Sequence, residues 1–273
     1  MGRKFAALII SRQEELYGEN DSEMSIQKFW VVLLCFFSLT AKTMPIGEMI
    51  RSAAHYTETL QKKTGYEREL TEEYQIEDFP IVLQMPELPT GCEITALTMV
   101  LNYYGYPVDK VSMASNFLPL ADDDLYYGEN GKLYGPDMNR YFIGDPFSES
   151  GIICGTQAIA TAADTYLHVQ KSSYGVKDIT GSSVDALYNR VSQNQPVIVW
   201  VTIGMEDRNE VQGWYTENGS YVEWSTNDHG AVLIGYTDTT VMIADPVSGR
   251  MTYNRAQFEK VFMERGSKCV VIA

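Results

Sequence analysis

Apolar segments of two kinds alternate with polar ones from about residue 79 onward. The segment 92–104 holds no glycine or proline, and its apolar residues occupy nearly every helical face, which predicts a buried helix. The run 196–203 is rich in β-branched residues and is typical of a central strand covered on both faces. Two further apolar runs, 229–236 and 240–244, flank a short polar turn and predict a β-hairpin.

Two more helices are predicted near 155–167 and around 183–193, and the chain closes on an apolar strand at 268–273. Pairing of the hairpin with the central and closing strands gives a mostly antiparallel sheet, on which the first predicted helix packs. The fold class is therefore α+β. The segment 79–273 is long enough for one domain with a sizeable core, at about 195 residues.

The N-terminal part carries an apolar run of 13 uncharged residues at 29–41. This run is too short to span a bilayer comfortably but has the length of a signal-peptide core. Residues 1–23 are acidic for a leader, whereas a start at Met24 would place a short basic segment before the run. We therefore expect an N-terminal extension and signal peptide over 1–41, a polar linker over 42–78, and a secreted or cell-surface protein. The alternatives are an uncleaved membrane anchor or a buried helix.

The charge balance excludes several classes of partner. The chain has 21 Lys and Arg against 36 Asp and Glu, a net charge of −15, which disfavours binding to nucleic acid or to an anionic membrane. The sequence has no CxxC pair and no phosphate-binding glycine motif, and its acidic run 122–124 lacks the spacing of a calcium loop. We expect no cofactor and no metal, and a monomer without stable membrane insertion once the signal is removed.

One cysteine stands in a setting that suits catalysis. Cys92 follows a Pro/Gly turn and begins the predicted helix 92–104. A helix N-terminus carries partial positive charge, which favours the thiolate over the thiol. The alternative is that Cys92 is a small buried apolar residue, as most free cysteines are.

A nucleophilic cysteine needs a base, and only one of three histidines is well placed. His55 and His168 lie in polar segments that indicate a solvated surface, whereas His229 opens the first strand of the predicted hairpin. A turn near 237 or 238 reflects position 229 onto a residue between about 245 and 247. Asp245 should then lie on the same face and orient the imidazole, as in a catalytic triad. The alternative is a hairpin with ordinary polar ends.

Cys154 and Cys269 also remain after export. A disulfide between them and two buried thiols are both open, and Cys154 is the second candidate nucleophile because a predicted helix follows it closely.

Two long polar segments, 121–145 and 204–228, interrupt the predicted domain. Long loops with aromatic side chains near catalytic residues often form binding walls. Trp214 and Trp224 are therefore the candidate substrate-binding residues.

Five sequence blocks taken in order resemble the stand-alone C39-like cysteine peptidases of bacteria, a branch of the papain-like superfamily. They are LPTGCEITALTMVLNYYG, YGPDMNRYFIGDPFSESG, QPVIVWVTIG, HGAVLIGYTDTTVMIADPVSG and KCVVIA. The resemblance extends from about Phe79 to Ala273. The resemblance implies a papain-like fold whose central helix carries the nucleophile Cys92, with His229 as general base and Asp245 as orienting acid. It also implies an oxyanion-binding glutamine before the cysteine, for which Gln84 is the match; the alternative for Gln84 is a strand residue that faces solvent.

These features together predict an exported cysteine peptidase or related thiol amidohydrolase that forms a thioester acyl-enzyme. Its substrate would be a peptide, such as a leader peptide or a peptide of the cell wall. A transferase that passes the acyl group to an amine would use the same three residues. A non-catalytic domain that binds cell wall or a partner protein on the same fold is the alternative from another class.

Overall fold

The computed structural model of the protein describes residues 73–273. Strands and helices alternate along this part of the chain. In chain order the strands are β1 (Tyr74–Gln75), β2 (Leu120–Ala121), β3 (Tyr126–Tyr127), β4 (Leu133–Tyr134), β5 (Phe142–Ile143), β6 (Val176–Asp178), β7 (Val197–Thr202), β8 (Trp214–Tyr215), β9 (Tyr221–Val222), β10 (Asp228–Tyr236), β11 (Thr240–Asp245), β12 (Gly249–Asn254) and β13 (Cys269–Ile272). The α-helices are α1 (Cys92–Tyr103), α2 (Lys110–Asn116), α3 (Thr156–Val169), α4 (Val184–Val191) and α5 (Arg255–Glu264).

A seven-stranded antiparallel sheet organises the described part of the chain. Its order is β12-β11-β10-β7-β13-β6, and β1 pairs with the end of β10. Every residue of β7 and β10 is buried, which explains why both strands read as continuous apolar runs rather than as alternating ones. The predicted α+β fold with a mostly antiparallel sheet, on which the helix that begins at Cys92 packs, is confirmed.

The helix α1 packs on β10 and is buried over its first ten residues. It begins at Cys92, directly after Gly91, as the sequence predicts. Thr95 and Thr98 satisfy their hydroxyl groups within the helix, by donating to carbonyl oxygens four residues back at 2.7 and 2.8 Å. Two polar residues therefore enter the core without unpaired hydroxyls, and α1 can be buried on all sides.

A glycine in β10 sets how closely α1 approaches the sheet. A Cβ atom at Gly230 would lie 2.7 Å from Cγ of Glu93 and 2.9 Å from its Cα, closer than real side chains allow. Because the second of these atoms belongs to the helix backbone, only glycine at this position permits the observed packing distance. The first turn of α1 is thus held directly against the strand that carries His229.

The two long polar segments contain a small sheet that the sequence does not predict. Strands β3, β4, β8 and β9 are two residues each and pair in the order β3-β4-β8-β9, so the segments 121–145 and 204–228 meet. Tyrosines stack across it, with the rings of Tyr126 and Tyr134 5.7 Å apart. Strands of two residues are too short to show a periodic pattern, and the central pairing of β4 with β8 joins distant parts of the chain.

The predicted signal peptide and most of the predicted linker lie outside the described residues. Of the linker segment 42–78, the last six residues are described, and they contribute β1 and the fully buried Ile76 to the sheet. Residues before position 79 are therefore part of the folded domain. Within residues 73–273, no helix is long and apolar enough to cross a membrane.

Candidate active site

Cys92 lies at the start of α1 with 7% of its surface exposed. Its Sγ accepts a hydrogen bond from the backbone N–H of Gly230 at 3.4 Å. Burial raises the pKa of the Cys92 thiol well above its usual value, and the neighbouring charge of Glu93 raises it further, while the Gly230 amide lowers it. The expected preference for the thiolate at this helix start is therefore not realised, because burial outweighs the partial charge of the helix end.

His229 and Asp245 come together on the hairpin β10–β11. The pairing of Val232 with Ala244, continued by one residue, places Asp245 opposite Ala231 and diagonal to His229 on the same face. Nε2 of His229 lies 3.2 Å from Oδ1 of Asp245, and both side chains are buried. The geometry of the sheet thus brings the two side chains into contact at the open end of the hairpin.

The Asp245 carboxylate is held in place by the turn that follows it. Its Oδ1 accepts hydrogen bonds from the backbone N–H groups of Val247 at 2.7 Å and Ser248 at 3.0 Å. Burial raises the pKa of Asp245, but the contact with His229 and these amides outweigh burial and lower it below its usual value. Asp245 is therefore ionised at neutral pH and fixed where it meets the imidazole.

Gly230 connects the hairpin to the cysteine. It follows His229 directly, its N–H contacts Sγ of Cys92, and its Cα lies against Glu93. The structure thus brings the thiol, the imidazole and the Asp245 carboxylate into one buried cluster. Their catalytic roles stay predictions.

Gln84 lies in the loop that leads into α1. It is 4% exposed and outside any strand, so the alternative of a solvent-facing strand residue does not hold. Its Nε2 donates to the carbonyl oxygen of Pro89 at 2.7 Å, and its backbone N–H donates to Pro246, the residue after Asp245, at 2.7 Å. A side-chain amide carries two N–H groups, so one donor remains for a ligand. Its Oε1 has no hydrogen-bond partner among the described residues.

Of the two predicted substrate-binding tryptophans, the structure contradicts Trp214, and Trp224 stays a prediction. Trp214 is fully buried, and its Nε1 donates to the carbonyl oxygen of Pro136 at 2.8 Å, so it forms the core of the small sheet and cannot line a substrate wall. Trp224 packs beside it, with ring centroids 6.3 Å apart, and is only partly buried. The sequence could not distinguish them, because the pairing that buries Trp214 joins residues far apart in the chain.

A cavity of about 500 Å³ lies where the two long segments meet. Both segments line it, with acidic side chains from each: Asp122, Asp124, Asp137 and Glu217.

Glu93 is the residue of this site that the sequence argument did not use. It is fully buried, and neither carboxylate oxygen has a hydrogen-bond partner among the described residues. The signal was present, since Glu93 is the one charged residue in the otherwise uncharged helix Cys92–Tyr103. Burying a carboxyl group without a hydrogen-bond partner costs free energy, and such groups are concentrated at functional sites.

A buried ion-pair network fixes the start of β10, next to His229. Asp228 Oδ1 lies 3.0 Å from Nε of Arg265 and 3.3 Å from Nε of Arg208. Its Oδ2 accepts from the backbone N–H of Ser225 at 2.9 Å. The residue before His229 is thereby tied to two other segments of the chain.

The remaining candidates lie apart from this cluster or deeper in the core. Cys92, Cys154 and Cys269 are all free and buried, so the structure has no disulfide between the last two. Cys154 is 1% exposed, and its carbonyl oxygen accepts from Nε1 of Trp200 at 2.7 Å. His168 is exposed in the last turn of α3, and His55 lies outside the described residues. In the described part, no group of three or more His, Cys, Asp or Glu side chains is arranged to hold a metal ion.

Comparison with known proteins agrees with the resemblance seen in the sequence. The Peptidase C39 like family matches residues 76–270 of this chain. The uncharacterised protein YvpB of Bacillus subtilis (strain 168) is 34% identical over 192 residues, which cover 70% of this chain and 72% of YvpB. A crystal structure of a candidate C39-like peptidase from Bacillus anthracis superposes with a TM-score of 0.65 at 28% identity, covering 74% of this chain and 98% of that one.

Proposed function

Because this chain belongs to the C39-like peptidase family, we propose that it is a cysteine peptidase with Cys92 as nucleophile, His229 as general base and Asp245 as orienting acid. The observation that carries the proposal is that His229 contacts Asp245 while the residue after His229 contacts the thiol. His229 Nε2 lies 3.2 Å from Asp245, and the next residue contacts the Cys92 sulfur through its amide. Catalytic hydrogen bonds are often poorly aligned before substrate binds, so this proximity is what matters.

The proposed reaction assigns one imidazole nitrogen of His229 to Asp245 and the other to Cys92. Oδ1 of Asp245 lies 3.2 Å from Nε2 of His229. In the proposed reaction Nε2 turns its N–H to this carboxylate as the substrate binds, and Nδ1 takes the proton from the Cys92 thiol. The thiolate then attacks the carbonyl carbon of a peptide bond, and the electron pair of the C=O bond moves onto oxygen. This oxyanion is stabilised by the second Nε2–H of Gln84 and by the backbone N–H groups at the start of α1.

Collapse of the tetrahedral intermediate breaks the C–N bond. The imidazolium of His229 gives its proton to the leaving amine, and the acyl group remains on Cys92 as a thioester. A water molecule, deprotonated by His229, then attacks the thioester and releases a carboxylic acid and the thiol. Since burial raises the pKa of Cys92, the thiol keeps its proton until that proton passes to His229.

The substrate class is a peptide, and the sequence expectation of a leader or cell-wall peptide is part of this proposal. Mass spectrometry of candidate peptides incubated with the protein tests it. We expect cleavage by the wild type and by the matched control Cys269→Ala, which removes a buried thiol elsewhere in the sheet, and none by Cys92→Ala. Equal cleavage by Cys92→Ala would refute the mechanism.

Addition of a free amine to the same reaction separates hydrolysis from transfer. A hydrolase gives a free carboxylate as the main product, whereas a transferase gives the amide of the added amine. Both outcomes require the thioester on Cys92, which can be trapped and weighed as an acyl-enzyme.

We further propose that the protein is exported, on the basis of the 13-residue apolar run at 29–41, which lies outside the described residues. N-terminal sequencing of the protein from its native host should find a first residue between about Ala41 and Glu48. Recovery of the full-length chain from the cytosol contradicts export without touching the proposed chemistry.

A further inference from the structure

Glu93 places a carboxyl group at the back of the candidate active site. The side chain follows Cys92 on the first turn of α1 and is fully buried. Its Cα and Cγ pack against Gly230, where any larger residue would collide with them, and the same glycine donates its N–H to the Cys92 sulfur. Glu93 and the thiol therefore share one wall, the backbone of β10 beside His229.

The groups around this carboxyl come from four parts of the chain. The thiol of Cys92 lies on its own helix, Cys154 on the loop before α3, His229 on β10, and the guanidinium of Arg265 after α5. Arg265 is already paired with Asp228, with Nε and Oδ1 3.0 Å apart. Neither oxygen of Glu93 has a hydrogen-bond partner of its own among the described residues.

A buried carboxyl group without a hydrogen-bond partner releases its proton at a higher pH than an exposed one. Burial raises the pKa of Glu93 from its usual value to about 7. The carboxyl is therefore neutral in acid and becomes ionised as the pH rises through neutrality. In the ionised form its charge raises the pKa of the neighbouring Cys92 thiol.

We propose that Glu93 is a positioning residue that controls the ionisation of Cys92: the neutral carboxyl allows the thiolate to form, and the ionised carboxylate holds the proton on sulfur. This inference rests on the proposed function, because it assigns Glu93 a part in activating the same nucleophile. When Glu93 loses its proton to solvent, a second negative charge on Cys92 would lie next to it in a buried site, so the thiol keeps its hydrogen.

The consequence is an enzyme whose nucleophile becomes harder to activate above about pH 7, the opposite of an isolated thiol, which becomes more reactive as pH rises. Replacement by glutamine keeps the shape of the neutral carboxyl and removes its titration. Glu93→Gln should therefore lower the pH at which Cys92 becomes reactive.

The test measures alkylation of Cys92 by iodoacetamide between pH 5 and 10, with the modified peptide quantified by mass spectrometry. We expect Glu93→Gln to react about tenfold faster than the wild type at pH 8, the effect of a one-unit shift in the thiol pKa. Glu87→Gln is the matched control, since Glu87 is an exposed glutamate in the loop before α1 that pairs with Lys110 at 2.7 Å, and its profile should follow that of the wild type. Superimposable profiles of Glu93→Gln and wild type overturn the proposal.

A measurement on the wild type covers the case in which the variant does not fold. Infrared difference spectra should show one carboxylic acid C=O band that is lost between about pH 6 and 8. If the folded wild type loses no such band in this interval, Glu93 does not titrate there and the proposal is overturned.

The alkylation test addresses the role of Glu93, and the peptide-cleavage test addresses the proposed peptidase, so the two proposals can be refuted independently. A shifted Cys92 profile without peptide cleavage supports the role of Glu93 and overturns the proposed peptidase. Cleavage by Cys92 with unchanged profiles overturns the role of Glu93 alone.

Discussion

Replacement of Gly230 by alanine tests the contact on which the candidate site depends. The added Cβ would lie 2.7 Å from Cγ and 2.9 Å from Cα of Glu93, so the first turn of α1 must move away from β10. Overpacking of a buried contact costs about 1–3 kcal/mol, and the collision with backbone places Gly230→Ala in the upper part of that range. The lower entropy of the unfolded alanine chain returns about 0.4–1 kcal/mol. We expect a net loss in the free energy of unfolding of about 2 kcal/mol.

The same shift moves Cys92 relative to His229. Since a displacement of about 1 Å in a catalytic site can cost on the order of 100-fold in rate, turnover of peptide should fall by at least about tenfold. Urea denaturation and the cleavage assay measure the two effects. Gly175→Ala is the control, because its new Cβ would meet only the carbonyl oxygen of Ala273 at 3.7 Å, an ordinary contact. If Gly230→Ala is as stable and as active as Gly175→Ala, our account of the close approach between α1 and β10 is wrong.

Three further predictions concern the titrating groups. The unfolded chain gives up the Glu93 proton near pH 4.5 and the folded chain near 7, so the wild type loses stability across this interval; in urea melts Glu93→Gln should gain up to about 3 kcal/mol relative to the wild type between pH 4.5 and 8, and a constant difference would contradict this. Asp245→Ala should lower turnover by about 10³-fold or more and cost about 3 kcal/mol in stability, from two lost amide hydrogen bonds to a charged group; near-normal turnover would remove Asp245 from the mechanism. Iodoacetamide should label Cys92 faster than Cys154 or Cys269 in the folded protein, as peptide mapping would show, and prior labelling of Cys154 would reverse the choice of nucleophile.

The hairpin that carries His229 and Asp245 could be predicted because its information is local. Two apolar runs and a turn fix which residues face each other, and the observed register places Asp245 diagonal to His229 on one face. The start of α1 could be predicted for the same reason, from a turn followed by a segment without helix breakers.

The ionisation state of Cys92 and the burial of Trp214 could not be predicted in this way. The helix start indicates a lowered thiol pKa, but the burial that outweighs it is set by α1 packing on a strand more than a hundred residues later. Trp214 is buried by strands from a distant segment, and two-residue strands leave no pattern to read. Each was missed because it depends on long-range packing and not on local sequence.

The small sheet β3-β4-β8-β9 has a consequence for protein engineering. Its central pair, β4 and β8, joins Tyr134 to Tyr215, so each of the two polar segments supplies the hydrogen-bond partner that the other lacks. In a chimera that receives only one segment from a relative, the indole N–H of Trp214 would lose the hydrogen bond that it donates to the carbonyl oxygen of Pro136. The two segments therefore form one structural unit, and they should be exchanged between homologues only as a pair.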